Sequence, residues 1–345
     1  MNLAAGNPVS AGGGVPAPGG GRGGLRVGII LGPTGAGKTA FAIKLAERLG
    51  AEIVNADSRQ LYRGMDVGTA KPGAAERARI AHHLIDVRDP AEAVDVAEFA
   101  ALADAAIAEI AARGRPVLVV GGSGLYLRVL RGGIFAGPPA AREYRAELGA
   151  LAAAYGPAYL HDRLKEADVE AARRISVNDL PRIVRALEVF AASGITISEH
   201  HRRHRAAAGG GYENLTVGLT LDRERLYARI DRRFDEMLAA GLVEEVRRLL
   251  AADGRAVGVI ARTIGYREIA SYLAGASDLP TAIALAKRAS RRLAKRQMTW
   301  FRREPGVVWL DPECGIEEAL LRLREFFDAP RAAGPSGAAI GAVRL

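Results

Sequence analysis

The chain has 345 residues, of which 49% are hydrophobic and 25% are charged, proportions typical of a globular protein with a large core and a second module. Its formal net charge of +9 favours an acidic polymer such as nucleic acid as partner, although a solvated basic surface would give the same balance. The single cysteine, Cys314, excludes an intramolecular disulfide and a Cys-based zinc finger, and no apolar run is long enough to span a membrane, so we expect a cytoplasmic protein without a membrane partner.

Both ends of the chain are rich in glycine, alanine and proline. Residues 1–24 lack the apolar segment of a secretory signal. We predict that 1–24 form a disordered extension and 329–345 a disordered tail.

The most informative motif is GPTGAGKT, which fits the phosphate-binding pattern G-x-x-x-x-G-K-S/T. It lies between a predicted buried strand, 25–31, and a predicted amphipathic helix, 40–49. Backbone N–H groups of such a turn point at an anion, and the helix dipole adds positive potential. The motif predicts a polyphosphate site, with Lys38 on the terminal phosphate and the Thr39 hydroxyl on a magnesium ion. Its residues are Gly32, Pro33, Thr34, Gly35, Ala36, Gly37, Lys38 and Thr39.

Further strands are predicted at 52–57, 83–87 and 116–120, with a helix at 99–112. Strands that alternate with helices indicate a parallel sheet, whose ligands bind at the carboxyl ends of the strands. The phosphate loop, Asp57 and the glycine-rich turn Gly121–Gly124 all follow strands. We therefore expect these three segments to form one site.

Residues 137–205 show helical periodicity without a strand, and a strand at 215–221 and long helices follow. The predicted fold class is α/β: a P-loop NTPase-like parallel sheet flanked by helices, formed by 25–136 and 206–328. An all-helical insertion, 137–205, interrupts it.

The strand 116–120 runs into Gly121-Gly122, whereas an ATPase usually places an acidic residue there to hold magnesium and activate water. This argues against a motor-type NTPase. Asp57 comes earlier, after the second strand. Beside a polyphosphate it would suit a general base, but a magnesium ligand or a helix N-cap fits the position equally well.

Seven segments together resemble the tRNA dimethylallyltransferase family in its bacterial form, over about residues 25–327. The most specific is ADSRQLYRGMDVGTAKP at 56–72. The others are HHLIDVRDP at 82–90, GGSGLY at 121–126, NDLPRIVRALEVF at 178–190, RIDRRFDEML at 229–238, RTIGYRE at 262–268 and KRQMTWFR at 295–302.

The resemblance implies transfer of a dimethylallyl group from its diphosphate to the exocyclic amine of the adenosine just 3′ of the tRNA anticodon. Asp57 then matches the general base, Thr34 a residue near the donor, and Arg233 an arginine on the leaving diphosphate, which departs with Mg²⁺. The implied partners are dimethylallyl diphosphate and the anticodon stem-loop of tRNA, and we expect the protein to act as a monomer.

The family also implies which residues contact tRNA. Ser123 replaces a threonine found in many relatives but keeps the hydroxyl. The matching positions are Asp57, Ser58, Arg59, Gln60, Ser123, Arg145, Pro181, Arg182, Ile183, Val184, Arg185, Arg262, Gly265, Tyr266, Arg267, Lys295, Arg296, Gln297, Trp300 and Arg302.

Between 287 and 303 the chain is rich in basic residues, and the pairs at 287/288, 291/292 and 295/296 recur every four positions and share one predicted helical face. We call this set the basic stripe: Lys287, Arg288, Arg291, Arg292, Lys295, Arg296, Arg302 and Arg303. A run of like charge without partners favours an RNA-facing surface, while Trp300 alone fits a core position better.

His200, His201 and His204 lack nearby carboxylates or cysteines, which favours a phosphate-contacting loop over a metal site.

Two other functions fit parts of the sequence. A small-metabolite kinase would share the phosphate loop and the aspartate, but it would need no basic helical face. A non-catalytic RNA-binding module would not need Asp57 and Arg233 around the loop.

Overall fold

The computed structural model describes residues 22, 24–132, 137–138, 142–206, 211–252 and 256–330. Its strands are β1 Arg26–Leu31, β2 Glu52–Asn55, β3 His82–His83, β4 Val117–Gly121, β5 Glu213–Leu219 and β6 Val307–Leu310. Its helices are α1 Lys38–Leu49, α2 Ala74–Arg79, α3 Val96–Ala112, α4 Gly124–Gly132, α5 Arg142–Tyr155, α6 Pro157–Ala167, α7 Val169–Arg174, α8 Leu180–Ser193, α9 Ile197–Ala206, α10 Arg223–Ala239, α11 Leu242–Ala251, α12 Val257–Ala261, α13 Tyr266–Leu273, α14 Leu279–Phe301 and α15 Ile316–Asp328.

The strands form a six-stranded sheet in the order β3-β2-β4-β1-β5-β6, and every neighbouring pair is parallel. This confirms the predicted parallel α/β sheet. At the carboxyl end of the central strand, Leu31 lies opposite Gly121 of β4 and Gly218 of β5. The phosphate loop after β1 and the glycine-rich turn after β4 therefore start side by side.

Side chains of β1 alternate between two buried layers, as the period of a strand requires. Ile29 packs with Phe99 and Ile107 of α3. Ile30 packs on the opposite face with Leu45 of α1 and Leu320 of α15. Helices cover both faces of the sheet, which explains why its central strands are almost wholly apolar. None of the helices in the described part of the chain is both long and apolar enough to cross a membrane.

Strand β2 ends two residues earlier than predicted and β5 lies two residues earlier, but two other strands differ more from the sequence prediction. Only His82–His83 pairs in the segment where a strand at 83–87 was expected, because Leu84 and Asp86 adopt left-handed backbone conformations, with φ of 61° and 58°. The edge strand β6 was not predicted, although the Pro305-Gly306 turn, with Gly306 at a φ of 69°, and the apolar run that follows it give a short local signal.

The structure separates a compact smaller unit, Gly132–Gly211, from a larger unit formed by the residues on either side. Within the described residues of the smaller unit, every regular element is a helix. Its core contains Leu148, Leu160, Leu164 and Leu187. The segment with His200, His201 and His204 belongs to helix α9, so the predicted loop there is wrong.

Most of the predicted terminal extensions, 1–21, 23 and 331–345, lie outside the described residues. Arg22 falls within the predicted extension but is buried, and its guanidinium lies 2.6 Å from the Asp104 carboxylate. The fixed part of the chain therefore includes a residue before Leu25.

Candidate active site

The phosphate loop of the larger unit ends where α1 begins, at Lys38. Gly37 caps the helix with a φ of 84°, a left-handed conformation that glycine adopts without strain. The Lys38 ammonium donates a hydrogen bond to the Pro33 carbonyl at 3.0 Å. Burial lowers the pKa of Lys38 to about 8, partly offset by the attraction of Asp57, while repulsion from Arg233 lowers it further. A bound anion would relieve this unfavourable environment.

A second cation, the half-buried Arg233, comes from α10. Burial lowers the pKa of Arg233, and the negative charges of Asp57 and Glu236 oppose that effect. Its Nε atom is buried without a hydrogen-bond partner. Buried polar atoms are rarely left unpaired, so this atom is available to a ligand bound in the pocket. An anion with several acceptor oxygens fits this position.

Asp57 follows β2 and is fixed by two local hydrogen bonds. Its backbone N–H donates to the Asn55 side-chain oxygen at 3.2 Å, and its Oδ1 accepts from the Arg59 N–H at 2.9 Å. Asn55 was not predicted as a site residue, although an Asn two positions before a strand-end carboxylate is typical of such turns. The two bonds leave Oδ2 available for chemistry.

The glycine-rich turn after β4 packs directly against the Asp57 segment. A Cβ at Gly121 would lie 2.2 Å from the Ala56 carbonyl oxygen, so only glycine allows this approach. The Ser58 N–H donates to Ser123 Oγ at 3.1 Å. The hydroxyl expected at position 123 therefore also fixes the segment that carries Asp57.

Gln297 of α14 joins the two loops. Its Oε1 accepts from the Thr34 N–H at 2.8 Å, and its Nε2 donates to the Gly122 carbonyl at 2.9 Å. One side chain thus sets the spacing between the phosphate loop and the glycine-rich turn.

The loop 58–72 is held by a buried lysine. Lys71 has a side chain only 2% exposed, and its ammonium contacts the carboxylates of Asp66 and Asp86 and the Tyr62 carbonyl. Gln60 donates to the carbonyls of Thr69 and Ala70. The ion pair between Lys71 and Asp86 joins two of the segments that carry the family resemblance, GTAKP at 68–72 and LIDV at 84–87.

Glu245 of α11 also holds this loop and is not among the predicted site residues. It is 1% exposed, and its carboxylate accepts hydrogen bonds from the backbone N–H groups of Asp66, Val67 and Gly68. It also accepts from the Tyr266 hydroxyl at 2.5 Å. Its position in an ordinary amphipathic helix gave no sequence signal.

These segments surround a pocket of about 1140 Å³ in the larger unit. Thr34, Lys38, Thr39, Asp57 and Arg233 all line it. The other residues of the phosphate loop fall into two groups. Gly35 and Gly37 also line the pocket, whereas Gly32, Pro33 and Ala36 are buried and do not line it.

The described residues contain no group of three or more His, Cys, Asp or Glu side chains that could hold a metal ion. The only hydroxyl at the start of α1, Thr39, does line the pocket. Mg²⁺ binds readily through one or two protein oxygens plus substrate phosphates and water. The donor set therefore fits a magnesium ion carried largely by a diphosphate, and it does not fit a metal held by protein alone.

Many predicted tRNA-contact residues line the same pocket: Ser58, Arg59, Gln60, Ser123, Arg262, Arg267, Arg296, Gln297 and Trp300. Lys295 and Arg302 are exposed outside it. Trp300 is half-buried against the core, with the Arg128 guanidinium 4.3 Å from its ring centroid. Gly265 and Tyr266 are buried, and Tyr266 is 0% exposed. Contact of tRNA with the Tyr266 side chain is therefore a wrong prediction.

The remaining predicted residues lie in the smaller unit. Pro181 and Arg182 are exposed. Arg145 makes a bidentate ion pair with the buried Glu188, with distances of 2.8 and 2.7 Å, and Arg185 lies 3.7 Å from the same carboxylate. Ile183 and Val184 are buried in the core of the unit, so their side chains do not reach an RNA surface.

The basic stripe, carried by α14 and the two residues that follow it, is divided, contrary to the expectation that it lacks partners. The ammonium of Lys287 lies 2.6 Å from Asp235, and the guanidinium of Arg291 lies 2.6 Å from Asp231, both acids on α10. These two cations therefore link α14 to α10. The exposed members Arg288, Arg292, Lys295, Arg296, Arg302 and Arg303 remain available on the surface.

Comparison with known families supports the grouping of these segments. The family described as IPP transferase matches residues 60–304. A tRNA dimethylallyltransferase from Geobacter metallireducens is 49% identical over 302 residues, which are 88% of this chain and 97% of the relative. One from Anaeromyxobacter dehalogenans is 51% identical over 301 residues, 87% of this chain and 100% of the relative.

Solved structures agree. The crystal structure of the full-length tRNA isopentenylpyrophosphate transferase from Bacillus halodurans superposes with a TM-score of 0.64 at 39% identity, covering 88% of this chain and 97% of that one. Crystallographic snapshots of a eukaryotic dimethylallyltransferase acting on tRNA give a TM-score of 0.75 at 25% identity, covering 90% and 81% of the respective chains.

Proposed function

The chain belongs to the IPP transferase family, and from this premise we propose that it transfers a dimethylallyl group from dimethylallyl diphosphate to tRNA. The acceptor is the exocyclic amine of the adenosine directly 3′ of the anticodon, and diphosphate is released. One observation carries this proposal: the half-buried cations Lys38 and Arg233 line the same pocket as the carboxylate of Asp57. The pocket thus combines a binding site for a leaving diphosphate with a group that accepts a proton.

Lys38 and Arg233 bind the diphosphate. Both are disfavoured as buried charges in the free protein, and Arg233 has an unpaired buried Nε. Negative charge grows on the bridging oxygen as the C–O bond breaks, so fixed cations there stabilise the transition state more than the ground state. The apolar side chains Ile230, Phe234 and Met237 of α10 line the pocket and suit the five-carbon prenyl tail.

Asp57 acts as the general base. The adenine amine is a poor nucleophile because its lone pair is delocalised into the ring. As the new N–C bond forms and the C–O bond breaks, the amine proton passes to Asp57 and the electron pair leaves with diphosphate. The Arg59 N–H donates a hydrogen bond to Oδ1, and the Asp57 N–H donates to the Asn55 side-chain oxygen, so that the carboxylate and its backbone are both held in place. A positioned base typically contributes about 10²–10⁴-fold to the rate.

A magnesium ion would be held by the Thr39 hydroxyl together with oxygens of the diphosphate, and it would supply further neutralisation of the leaving group. Thr34 lines the pocket beside the donor, and its backbone N–H is fixed by a hydrogen bond to the Gln297 side chain.

Transfer RNA is held by exposed cations around the pocket, including Arg262, Arg267, Arg296 and Arg302. In the helical insertion, proposed to span 137–205, the exposed Arg182 contributes a further contact. We also propose that the anticodon stem-loop is sufficient for binding, and that the protein is a cytoplasmic monomer.

The test uses an anticodon stem-loop, dimethylallyl diphosphate and Mg²⁺, followed by mass spectrometry of the nucleosides. The expected product is a dimethylallylated adenosine at the position 3′ of the anticodon. Lys38→Ala and Thr39→Ala should reduce its formation by orders of magnitude, since each removes a partner of the leaving group. Absence of any prenylated nucleoside with the wild-type protein would overturn the proposal.

A further inference from the structure

A second concave surface lies between α13 and α14 in the larger unit. This arginine groove has a volume of about 430 Å³, and three of its lining residues are Arg288, Arg292 and Arg296 of α14. Their four-residue spacing places them on one face of the helix, roughly 6 Å apart along its axis. All three are exposed. Three evenly spaced cations match a linear ligand with evenly spaced anions better than they match a single small anion.

The charges of this row are not neutralised by the protein. Lys287 and Arg291, on the neighbouring face of α14, pair with Asp235 and Asp231. Within the part of the chain that the structure describes, Arg288, Arg292 and Arg296 form no ion pair. The one carboxylate that lines the groove, Glu268, is bound to Arg267 Nε at 2.6 Å and to the Gly265 N–H at 2.8 Å.

The groove is continuous with the candidate active site. Ile264, Arg267 and Arg296 line both the groove and the larger pocket. A polymer that places one unit in the pocket can therefore extend along α14 past Arg296 and Arg292 toward Arg288. The separation of the arginines is comparable with that of successive phosphates on a nucleic-acid strand.

We propose that the arginine groove binds the sugar–phosphate backbone of the tRNA strand that flanks the reactive adenosine. This inference rests on the proposed function and adds a binding site to it. The hydroxyls of Ser271 and Ser277, 3.4 Å apart, offer further donors to phosphate or ribose. The exposed Leu285 supplies an apolar contact for a sugar. Contacts of this kind position an RNA and carry no base information.

The test compares the double variant Arg288→Ala/Arg292→Ala with a control of equal charge, Lys44→Ala/Arg322→Ala, whose residues are exposed on α1 and α15. Binding of an anticodon stem-loop is measured over a range of salt concentrations. The groove variant should bind roughly tenfold more weakly, and the slope of log K against log salt should flatten by about 1.4, as expected for two lost contacts to a single strand. The control should match the wild type, and Arg288→Lys/Arg292→Lys should regain most of the affinity.

Stem-loops with single neutral methylphosphonate linkages beside the adenosine identify direct contact. At the contacted positions, neutralisation should weaken binding to the wild type but not weaken binding to the groove variant further. If the groove variant matches the control in affinity and slope while the wild type still prenylates the stem-loop, the groove assignment alone is wrong. If the wild type neither binds nor prenylates the stem-loop, the proposed function fails as well.

Discussion

The side chain of Gln297 accepts a hydrogen bond from the backbone N–H of Thr34 at 2.8 Å, across 263 positions of sequence. The same amide donates to the Gly122 carbonyl. The phosphate loop is therefore held at a fixed distance from the glycine-rich turn by a residue of the long helix α14. A residue expected from the family resemblance to contact tRNA thus also fixes the spacing of the two loops that form the proposed donor site.

Gln297→Ala should lower kcat/KM for prenyl transfer by roughly thirtyfold, because two hydrogen bonds of about 1 kcal/mol each are lost from the loop contacts. Steady-state kinetics in both substrates would show a raised KM for dimethylallyl diphosphate if the role is to position the loop. Thr299→Ala, at an exposed neighbouring position of α14, is the matched control. A rise confined to the KM for tRNA would contradict the positioning role.

Asp57→Asn should bind both substrates nearly as well as the wild type but lose about 10²–10⁴-fold in the chemical step, because the amide cannot accept the amine proton. Single-turnover prenyl transfer at saturating substrates measures this step directly. A loss smaller than about tenfold would remove Asp57 from the role of base.

Affinity for inorganic diphosphate should decrease as the pH rises above about 8, the pKa that burial gives Lys38. Below that pH the ammonium is charged and binds the anion. Above that pH the neutral Lys38 amine must take up a proton when the anion binds, so log Kd rises by up to about one unit per pH unit.

Calorimetric titration of diphosphate across this pH range gives the profile. Diphosphate itself also titrates, so the informative quantity is the difference between the wild type and Lys38→Ala. Parallel profiles for the two proteins would show that Lys38 does not ionise in this range.

Glu245→Gln should lower the free energy of unfolding by about 1–3 kcal/mol, because a buried carboxylate that accepts three backbone N–H groups is replaced by an amide with one acceptor oxygen. Tyr266→Phe should cost about 1 kcal/mol through loss of one hydrogen bond to that carboxylate.

Urea denaturation measures both effects. The exposed neighbour Glu244→Gln provides the control, with an expected change within about 0.5 kcal/mol. Equal stability of the variants at positions 244 and 245 would exclude the anchoring role of Glu245.

The sequence was sufficient to predict the parallel sheet, the phosphate loop and its junction with α1, because apolar periodicity and glycine spacing are local properties. The convergence of Asp57 and the glycine-rich turn also followed from their positions after strands. The Arg291–Asp231 and Tyr266–Glu245 contacts join residues 60 and 21 positions apart. Neither pair leaves a local pattern, so the division of the basic stripe and the burial of Tyr266 required the structure.

We propose above all that the phosphate loop binds the diphosphate of a prenyl donor and does not use ATP. The most direct measurement compares the products formed by the wild-type protein with tRNA, Mg²⁺ and either dimethylallyl diphosphate or ATP. We expect diphosphate and prenylated adenosine in equal amounts from the first mixture and no turnover in the second. Phosphoryl transfer from ATP without prenylation would contradict the account and favour a kinase.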